Sequence, residues 1–152
     1  MAVMAIMTGI QASGKSTFCK KYLTEYVRIN LDTLHTRNKE NMAIDEAFRS
    51  GKDMVIDNTN PTVEDRQKYI LRAKENGYRV IGYFMQSRLQ ACAARNEQRA
   101  GKEKVPPRAI AATSNKLEVP SYEEGFDELY FVRITDTGMV VEAWRDKCEK
   151  NF

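Results

Sequence analysis

Apolar residues along this chain fall either into short continuous runs or into stretches where they recur every three or four positions. The continuous runs are Ala2–Met7, Met54–Ile56, Val80–Met85 and Leu129–Ile134. Such runs are typical of strands that are covered on both faces, as in a parallel sheet. The periodic stretches predict helices over Ser16–Tyr26, Met42–Arg49, Thr62–Asn76, Leu89–Arg99 and Pro107–Leu117. Strands alternating with helices predict an α/β fold with a central, mainly parallel sheet flanked by helices.

The helix predicted over Thr62–Asn76 has signals at both ends. Asn60 is a suitable N-cap and Pro61 suits the first helical position. Gly77 follows the last predicted turn, and glycine is common where a helix stops. These signals predict a helix with well-defined ends.

Composition narrows the class of protein. The 152 residues fit one domain, 1–152, and 42% hydrophobic with 30% charged residues is ordinary for a globular protein. The net charge of +3 favours an anionic ligand without requiring nucleic acid. Cys19, Cys92 and Cys148 lie far apart, which predicts reduced thiols and no structural metal. No stretch approaches the roughly 18 apolar residues of a membrane helix, and Met1–Met7 lacks a basic leader, so we expect a soluble cytoplasmic protein.

A phosphate-binding pattern lies between the first predicted strand and the first predicted helix. Residues 9–16, GIQASGKS, match G-x-x-x-x-G-K-[ST]. Glycines let backbone N–H groups turn inward around phosphates, and the helix that follows adds its positive end. Lys15 is expected to reach the β- and γ-phosphates, and the Ser16 hydroxyl to ligate Mg²⁺. We therefore expect ATP, GTP or another nucleoside triphosphate to be bound by Gly9, Gln11, Ala12, Ser13, Gly14, Lys15, Ser16 and Thr17.

Two carboxylates are expected at the carboxyl edge of the sheet, where ligands bind in such folds. The segment 26–32 predicts a short strand that delivers Asp32, which could deprotonate an attacking hydroxyl or, alternatively, cap a helix beginning at Thr33. The apolar run 54–56 followed by Asp57 is the form expected of a magnesium-binding strand end. Roles as turn and cap residues are equally open for Asn58, Thr59 and Asn60.

Two arginines precede a polar segment and predict a lid. Arg95 and Arg99 are four residues apart on a predicted helix and share one face, just before Ala100–Lys104. We expect residues 95–106 to form a small lid whose guanidinium groups stabilise charge on the transferred phosphate. The alternative is a solvated basic face that continues into Lys102 and Lys104.

Taken in order, four segments resemble the 5′-hydroxyl polynucleotide kinases. They are residues 9–17, then I-N-L-D at 29–32, D-N-T-N at 57–60, and R-N-E-Q-R at 95–99 with Val-Pro at 105–106. The resemblance covers about residues 2–117 and implies a P-loop NTPase three-layer sandwich, an NTP donor with Mg²⁺, and a DNA or RNA 5′-hydroxyl end as acceptor. By this resemblance Lys15 and Ser16 serve the phosphates and metal, Asp32 is the general base, and Arg95 and Arg99 clamp the donor.

The acceptor side departs from this family. Three residues after the general base, where the family usually has an arginine, this chain has His35, with Arg37 two residues further on. We expect Asp32, His35 and Arg37 to contact the acceptor, and His35 is otherwise explained as a surface residue. The segment between Asp32 and Asp57 is also shorter than is usual in the family, which fits a small or differently shaped acceptor. No D-x-D-G-[TS] phosphatase signature occurs in the sequence.

Aromatic residues give a further test of nucleic-acid binding, because bases stack on exposed rings. Tyr122 and Phe126, in a polar segment, are the candidates for such a platform. The core is the expected place for Tyr83, Phe84, Tyr130, Phe131 and Trp144.

The leading hypothesis is Mg²⁺-dependent transfer of phosphate to a 5′-hydroxyl end of nucleic acid. One alternative is a P-loop kinase whose acceptor is a small-molecule hydroxyl. Another is a regulatory nucleotide-binding NTPase in which Asp32 only shapes a helix.

Overall fold

The computed structural model describes residues 1–145, and its centre is a single sheet of parallel strands with one antiparallel strand at the edge. Within these residues the strands are β1 (Val3–Thr8), β2 (Val27–Ile29), β3 (Met54–Ile56), β4 (Arg79–Met85), β5 (Glu128–Thr135) and β6 (Gly138–Ala143). Their order is β2-β3-β1-β4-β5-β6, and only the β5–β6 pair of the described sheet is antiparallel. The predicted α/β class is confirmed.

Helices connect the strands and cover both faces of the sheet. They are α1 (Lys15–Tyr22), α2 (Leu31–Leu34), α3 (Arg37–Ser50), α4 (Val63–Glu75), α5 (Leu89–Glu97) and α6 (Pro107–Lys116), with short 3₁₀ turns at Gly101–Glu103 and Tyr122–Glu124. No helix between residues 1 and 145 combines the length and apolar character needed to cross a membrane.

Alternate residues of β1 face two different cores. Met4 and Ile6 pack with residues of α3 and α4, whereas Ala5 and Met7 pack with Phe18 of α1 and its neighbours. All four of these β1 side chains are fully buried. Burial on both faces explains why the parallel strands appear in the sequence as continuous apolar runs.

The boundaries of two helices differ from prediction. The first helix ends at Tyr22, four residues early, because Leu23 leaves helical geometry to bury its side chain beside α1. The α3 helix begins at Arg37, five residues before its predicted start, and the Thr36 side chain caps it by accepting from the N–H of Lys39. The first turn of α3 consists of polar residues, so the pattern of apolar positions did not indicate where this helix begins.

Asn60 was wrongly predicted as the N-cap of α4. Thr62 caps this helix, its hydroxyl accepting from the N–H of Asp65 at 3.1 Å. Asn60 instead has a φ of 42° and is buried between the ends of two strands. The chain can make this sharp bend because asparagine tolerates the left-handed region better than most residues.

The strand order brings the loops with chemical interest to one edge. β1 lies between β3 and β4, so the connections after β1 and after β3 leave in opposite directions. In parallel α/β sheets such a reversal opens a crevice at the carboxyl ends of the strands. Residues 9–14, 30–32 and 57–60 all follow those ends.

Candidate active site

The loop after β1 is fixed by hydrogen bonds to two neighbouring loops. Gly9 N–H donates to the carbonyl of Thr59 at 3.0 Å, and Ile10 N–H donates to the Ser87 hydroxyl at 3.1 Å. Ser87 in turn donates to the carbonyl of Met85, the last residue of β4. The loop is therefore anchored to the ends of β3 and β4, on both sides of the strand from which it leaves.

Two glycines of this loop stand where a side chain would collide. A Cβ on Gly9 would lie 2.6 Å from the Ser13 hydroxyl, and one on Gly14 would lie 2.9 Å from Ile134. Gly14 also has a φ of 98°, a conformation that side chains rarely adopt. The narrow turn that precedes α1 thus requires glycine at position 14, and a side chain at position 9 would force Ser13 to shift.

Lys15 points back into the loop. Its ammonium donates to the carbonyl of Ile10 at 2.9 Å. Burial lowers the pKa of this ammonium to about 8, while the carboxylate of Asp57 acts in the opposite direction. The partly desolvated lysine beside the first N–H groups of α1 forms a positive pocket suited to phosphate.

Ser16, Asp57 and Arg28 form a closed set of three contacts below the loop. The Ser16 hydroxyl donates to Asp57 Oδ2 at 3.1 Å, and Arg28 Nε donates to the same oxygen at 2.7 Å. Arg28 Nη2 also donates to the Ser16 hydroxyl at 3.0 Å. Asp57 is 1% exposed, so its carboxylate depends on these partners for its stability.

The oxygens of this set fit Mg²⁺. Asp57 Oδ1 is buried without a hydrogen-bond partner in the described structure, and it lies on a carboxylate beside the Ser16 hydroxyl. Residues 1–145 contain no cluster of three or more His, Cys, Asp or Glu side chains that could hold a metal. A hydroxyl and one carboxylate suit a cation that takes its remaining ligands from phosphates and water, as Mg²⁺ does.

Asn30 and Asn58 join the ends of β2 and β3. Asn30 Nδ2 donates to the carbonyl of Asp57 at 2.6 Å, and its Oδ1 accepts from the N–H of Thr33. Asn58 Oδ1 accepts from the N–H of Leu31 at 2.9 Å. Asn30, not Asp32, is therefore the N-cap of α2, and the alternative role of Asp32 as a cap is wrong.

Asp32 is exposed in the first turn of α2 and accepts no hydrogen bond from any residue between 1 and 145. It lines an open cavity of about 330 Å³ that reaches the phosphate loop at Gln11. Arg37, Asn58, Lys68 and Lys116 also line this cavity. The exposed carboxylate of Asp32 thus shares a cavity with Gln11 of the phosphate-binding loop and with several cationic side chains.

Arg37 contributes to the cavity, whereas His35 does not. Arg37 Nη1 donates to Glu40 Oε1 at 3.1 Å and to the Tyr69 hydroxyl at 3.0 Å. Burial raises the pKa of the Tyr69 phenol, and its hydrogen bond to Glu40 acts in the same sense. His35 is an exposed C-cap of α2 with a φ of 73°, and it is not among the residues that line the cavity.

Arg95 and Arg99 occupy different positions near the phosphate loop. Arg95 Nε donates to the carbonyl of Ala12 at 2.7 Å, so it already contacts the loop. Arg99 donates to the carbonyl of Glu103 at 3.2 Å, and its positive charge contributes to the lowered pKa of Lys15. Buried Asn96 closes the base of the segment 97–104 through two hydrogen bonds with the backbone of Val105.

Comparison with known proteins places this geometry in a family. A family model described as "AAA domain" matches residues 4–120. This chain belongs to that family and is a P-loop kinase domain. A bifunctional polynucleotide phosphatase/kinase of Schizosaccharomyces pombe is 32% identical over 128 residues, which are 81% of this chain and 31% of the relative. The chain spans about one third of the length of the first curated relatives that it matches.

Solved structures share the fold of this kinase domain at low identity. A gluconokinase from Sinorhizobium meliloti is 18% identical with a TM-score of 0.61, covering 88% of this chain and 83% of that one. Chaetomium thermophilum Kti12, solved in complex with ADP-AlF3, is 17% identical with a TM-score of 0.65 over 88% and 92% of the two chains. The gluconokinase and Kti12 thus share the fold of this chain at 18% sequence identity or less.

Some residues of the kinase domain that matter for the site were absent from the sequence predictions. Arg28, Ser87 and Asn96 are three examples; the partners of Arg28 and Ser87 lie 29 and 77 residues away in the sequence, whereas Asn96 contacts Val105, nine residues on. Asn96 lies in the R-N-E-Q-R segment that carries part of the family resemblance, so the sequence could have indicated its importance. The roles of Arg28 and Ser87 could be recognised only from the structure, because strand pairing brings them to their partners.

Of the two residues predicted to form an exposed aromatic platform, Phe126 is buried, so the prediction is wrong for that residue. Phe126 is 5% exposed and packs in the core with β4. Tyr122 is 48% exposed, although its hydroxyl accepts from the N–H of Leu129. Phe84 and Phe131 are buried as predicted, and Trp144 packs against the same core as Phe126.

Proposed function

We propose that this P-loop kinase domain, residues 1–152, transfers the γ-phosphate of a nucleoside triphosphate to the 5′-hydroxyl of a DNA or RNA end. The observation that carries the proposal is the carboxylate of Asp32, which has no hydrogen-bond partner among residues 1–145 and lines a cavity that adjoins the phosphate loop. Hydrolysis alone would not need a carboxylate in a cavity large enough for an acceptor. Phosphoryl transfer to an alcohol requires such a base beside the γ-phosphate.

Donor binding is assigned to the phosphate loop and the residues around it. Backbone N–H groups of residues 14–17, at the start of α1, face the phosphates, and Lys15 exchanges the Ile10 carbonyl for phosphate oxygens. Ser16 and Asp57 would hold Mg²⁺, which neutralises charge on the β- and γ-phosphates when it is bound. Arg95 and Arg99 approach from α5 and the lid to bind the same phosphate groups.

Asp32 acts as the general base. The acceptor hydroxyl hydrogen-bonds to this carboxylate, and its proton passes to Asp32 as the oxygen forms a bond with the γ-phosphorus. The bond between the γ-phosphorus and the β–γ bridging oxygen breaks at the same time, and the nucleoside diphosphate leaves. The reaction is in line and needs no covalent enzyme intermediate, because positioning and charge stabilisation supply most of the catalysis.

The acceptor class is supported by charge and by a relative. Arg37, Lys68 and Lys116 line the cavity beside Asp32, and the phosphate of a nucleic-acid end would meet them. Lys68 and Lys116 have no carboxylate partner among residues 1–145. The Schizosaccharomyces pombe relative is named for polynucleotide phosphatase and kinase activities. His35 has no part in this proposal, since it lies outside the cavity.

A kinase with a small-molecule acceptor is the second candidate. Its support is the cavity volume of about 330 Å³ and the shared fold with a gluconokinase. The two candidates differ in their response to salt. Binding through nucleic-acid phosphates weakens as salt rises, whereas binding of a neutral sugar does not.

The test is transfer of label from γ-labelled ATP, with Mg²⁺, to matched DNA and RNA oligonucleotides that carry a 5′-hydroxyl. Lys15→Ala serves as the blank. Label that reaches the 5′ end and disappears in the blank supports the proposal. If nucleotide binds but neither oligonucleotide is labelled with ATP or GTP, the nucleic-acid acceptor is rejected and sugars and nucleosides become the acceptors to assay.

A further inference from the structure

Arg28 occupies an unusual place in the candidate active site. It lies on β2, one of the two edge strands of the described sheet, and its side chain is 28% exposed. Its guanidinium spans the two side chains proposed as metal ligands, with Nε 2.7 Å from Asp57 Oδ2 and Nη2 3.0 Å from the Ser16 hydroxyl oxygen. A protein cation therefore holds the Ser16 hydroxyl and Asp57 Oδ2, directly beside Asp57 Oδ1, the carboxylate oxygen left open for Mg²⁺.

The hydrogen bonds of Ser16 show why Arg28 and a metal ion would oppose each other at this residue. A serine hydroxyl has one hydrogen and two lone pairs. Here the hydrogen is directed to Asp57 Oδ2, and one lone pair accepts from Arg28. A metal ligated by Ser16 must use a lone pair and bring positive charge next to a guanidinium. Two cations a few ångströms apart in a partly buried place repel each other strongly.

Asp57 is compensated by Arg28 in the structure described here. The carboxylate is 1% exposed, and Arg28 is its ion-pair partner among residues 1–145. Lys15 affects Asp57 through space, but its ammonium is bound to the Ile10 carbonyl. Arg28 can leave this contact at modest cost, because its partly exposed side chain reaches water from the edge of the sheet.

We propose that Arg28 regulates the metal site by competing with Mg²⁺ for Ser16 and Asp57. The inference rests on the proposed function, since it assumes that nucleotide and metal bind at the phosphate loop. In the nucleotide-free protein Arg28 holds the serine and the aspartate together. Binding of the metal with nucleotide displaces the guanidinium, so part of the metal's binding free energy is spent on breaking these contacts.

The experiment measures how much Mg²⁺ strengthens ADP binding. Calorimetric titration of the whole chain with ADP, once in EDTA and once in excess Mg²⁺, gives two dissociation constants and their ratio. Arg28→Gln removes the competing charge and keeps a side chain of similar length. We expect the ratio to rise on the order of 10-fold in this variant, which corresponds to about 1.4 kcal/mol. Arg28→Lys keeps the charge but cannot make both contacts at once. Its ratio should lie between those of the wild type and Arg28→Gln.

Arg79→Gln is the matched control. Arg79 pairs with Glu128 at 2.9 Å at the beginning of β4, which lies at the amino ends of the parallel strands and away from the phosphate loop. The ratio for Arg79→Gln should equal that of the wild type. An unchanged or smaller ratio in Arg28→Gln overturns the inference, because it means that Arg28 does not oppose the metal. If wild-type protein binds no ADP in either buffer, the proposed function fails instead, and the inference fails with it.

Discussion

The guanidinium of Arg66 and the carboxylate of Glu124 form a two-point ion pair inside the protein. Nε and Nη2 of Arg66 lie 2.7 and 3.1 Å from the two carboxylate oxygens, and the side chains are 0% and 4% exposed. Arg66 Nη1 donates to the carbonyl of Asn60 at 2.9 Å. The pair therefore fixes the loop that follows β3 to the turn before β5.

Removing one member of this pair should destabilise the fold severely. Arg66→Met leaves the Glu124 carboxylate buried without its partner, and such losses cost about 3–5 kcal/mol. Urea unfolding of the variant should show this decrease in the free energy of unfolding. The double variant Arg66→Met/Glu124→Leu should recover much of it, because no buried charge remains. A double variant as unstable as the single one would show that the contact with Asn60 dominates.

Asp32→Asn should abolish phosphoryl transfer while nucleotide still binds. The amide cannot accept the proton of the acceptor hydroxyl, yet it leaves the phosphate loop unchanged. Initial rates with labelled ATP measure transfer, and ADP titration measures binding. Asp136→Asn, in the exposed turn between β5 and β6, is the control and should retain wild-type rates. Wild-type transfer by Asp32→Asn would remove this residue from the mechanism.

The two lid arginines should give different defects. Arg99→Ala should lower turnover by a factor on the order of 10³, as loss of an arginine finger does. Arg95→Ala should also weaken ADP binding, because Arg95 holds the Ala12 carbonyl of the phosphate loop. Steady-state kinetics and ADP titration separate the two effects. Arg108→Ala, on an exposed position of α6, provides the comparison. Turnover within a few-fold of wild type in Arg99→Ala would reject the lid role.

Asp127 should make folding stability sensitive to acid. Its carboxylate accepts from the N–H of Val80 and pairs with Lys74, and these contacts hold the pKa of Asp127 below the usual value of 3.8. A lowered pKa in the folded state adds stability above pH 3.8, and that stability is lost as pH falls through the folded value. Wild type and Asp127→Asn should therefore differ in melting temperature at pH 7 and converge in stronger acid. A difference that stays constant with pH would mean that charge is not its source.

The sequence predicted what depends on local pattern and on motif. Buried strands, the phosphate loop and the position of Asp57 follow from residues close together in the chain. The β6 strand was missed because Gly138–Ala143 mixes exposed and half-buried positions and its apolar run, Met139–Val141, is short. An edge strand that is covered on one face only has a weak hydrophobic pattern in the sequence.

Contacts between distant segments account for the other omissions. The link from Asn58 to the N–H of Leu31 spans 27 residues, and the link from Ile10 to Ser87 spans 77. Pairing of strands creates both, and no local pattern announces them. The wrong assignment of Asn60 has the same origin, since its side chain donates to the carbonyl of Met7 across the sheet.

The brevity of β2 has a consequence for the behaviour of the molecule in concentrated solution. This strand is three residues long and forms an outer border of the sheet, and its middle residue is Arg28. A strand from another molecule would find few free backbone groups there, next to a charged side chain. Short, charged borders of this kind protect proteins from joining edge to edge into aggregates. The arginine proposed to oppose the metal thus also helps to keep this border of the sheet closed to other chains.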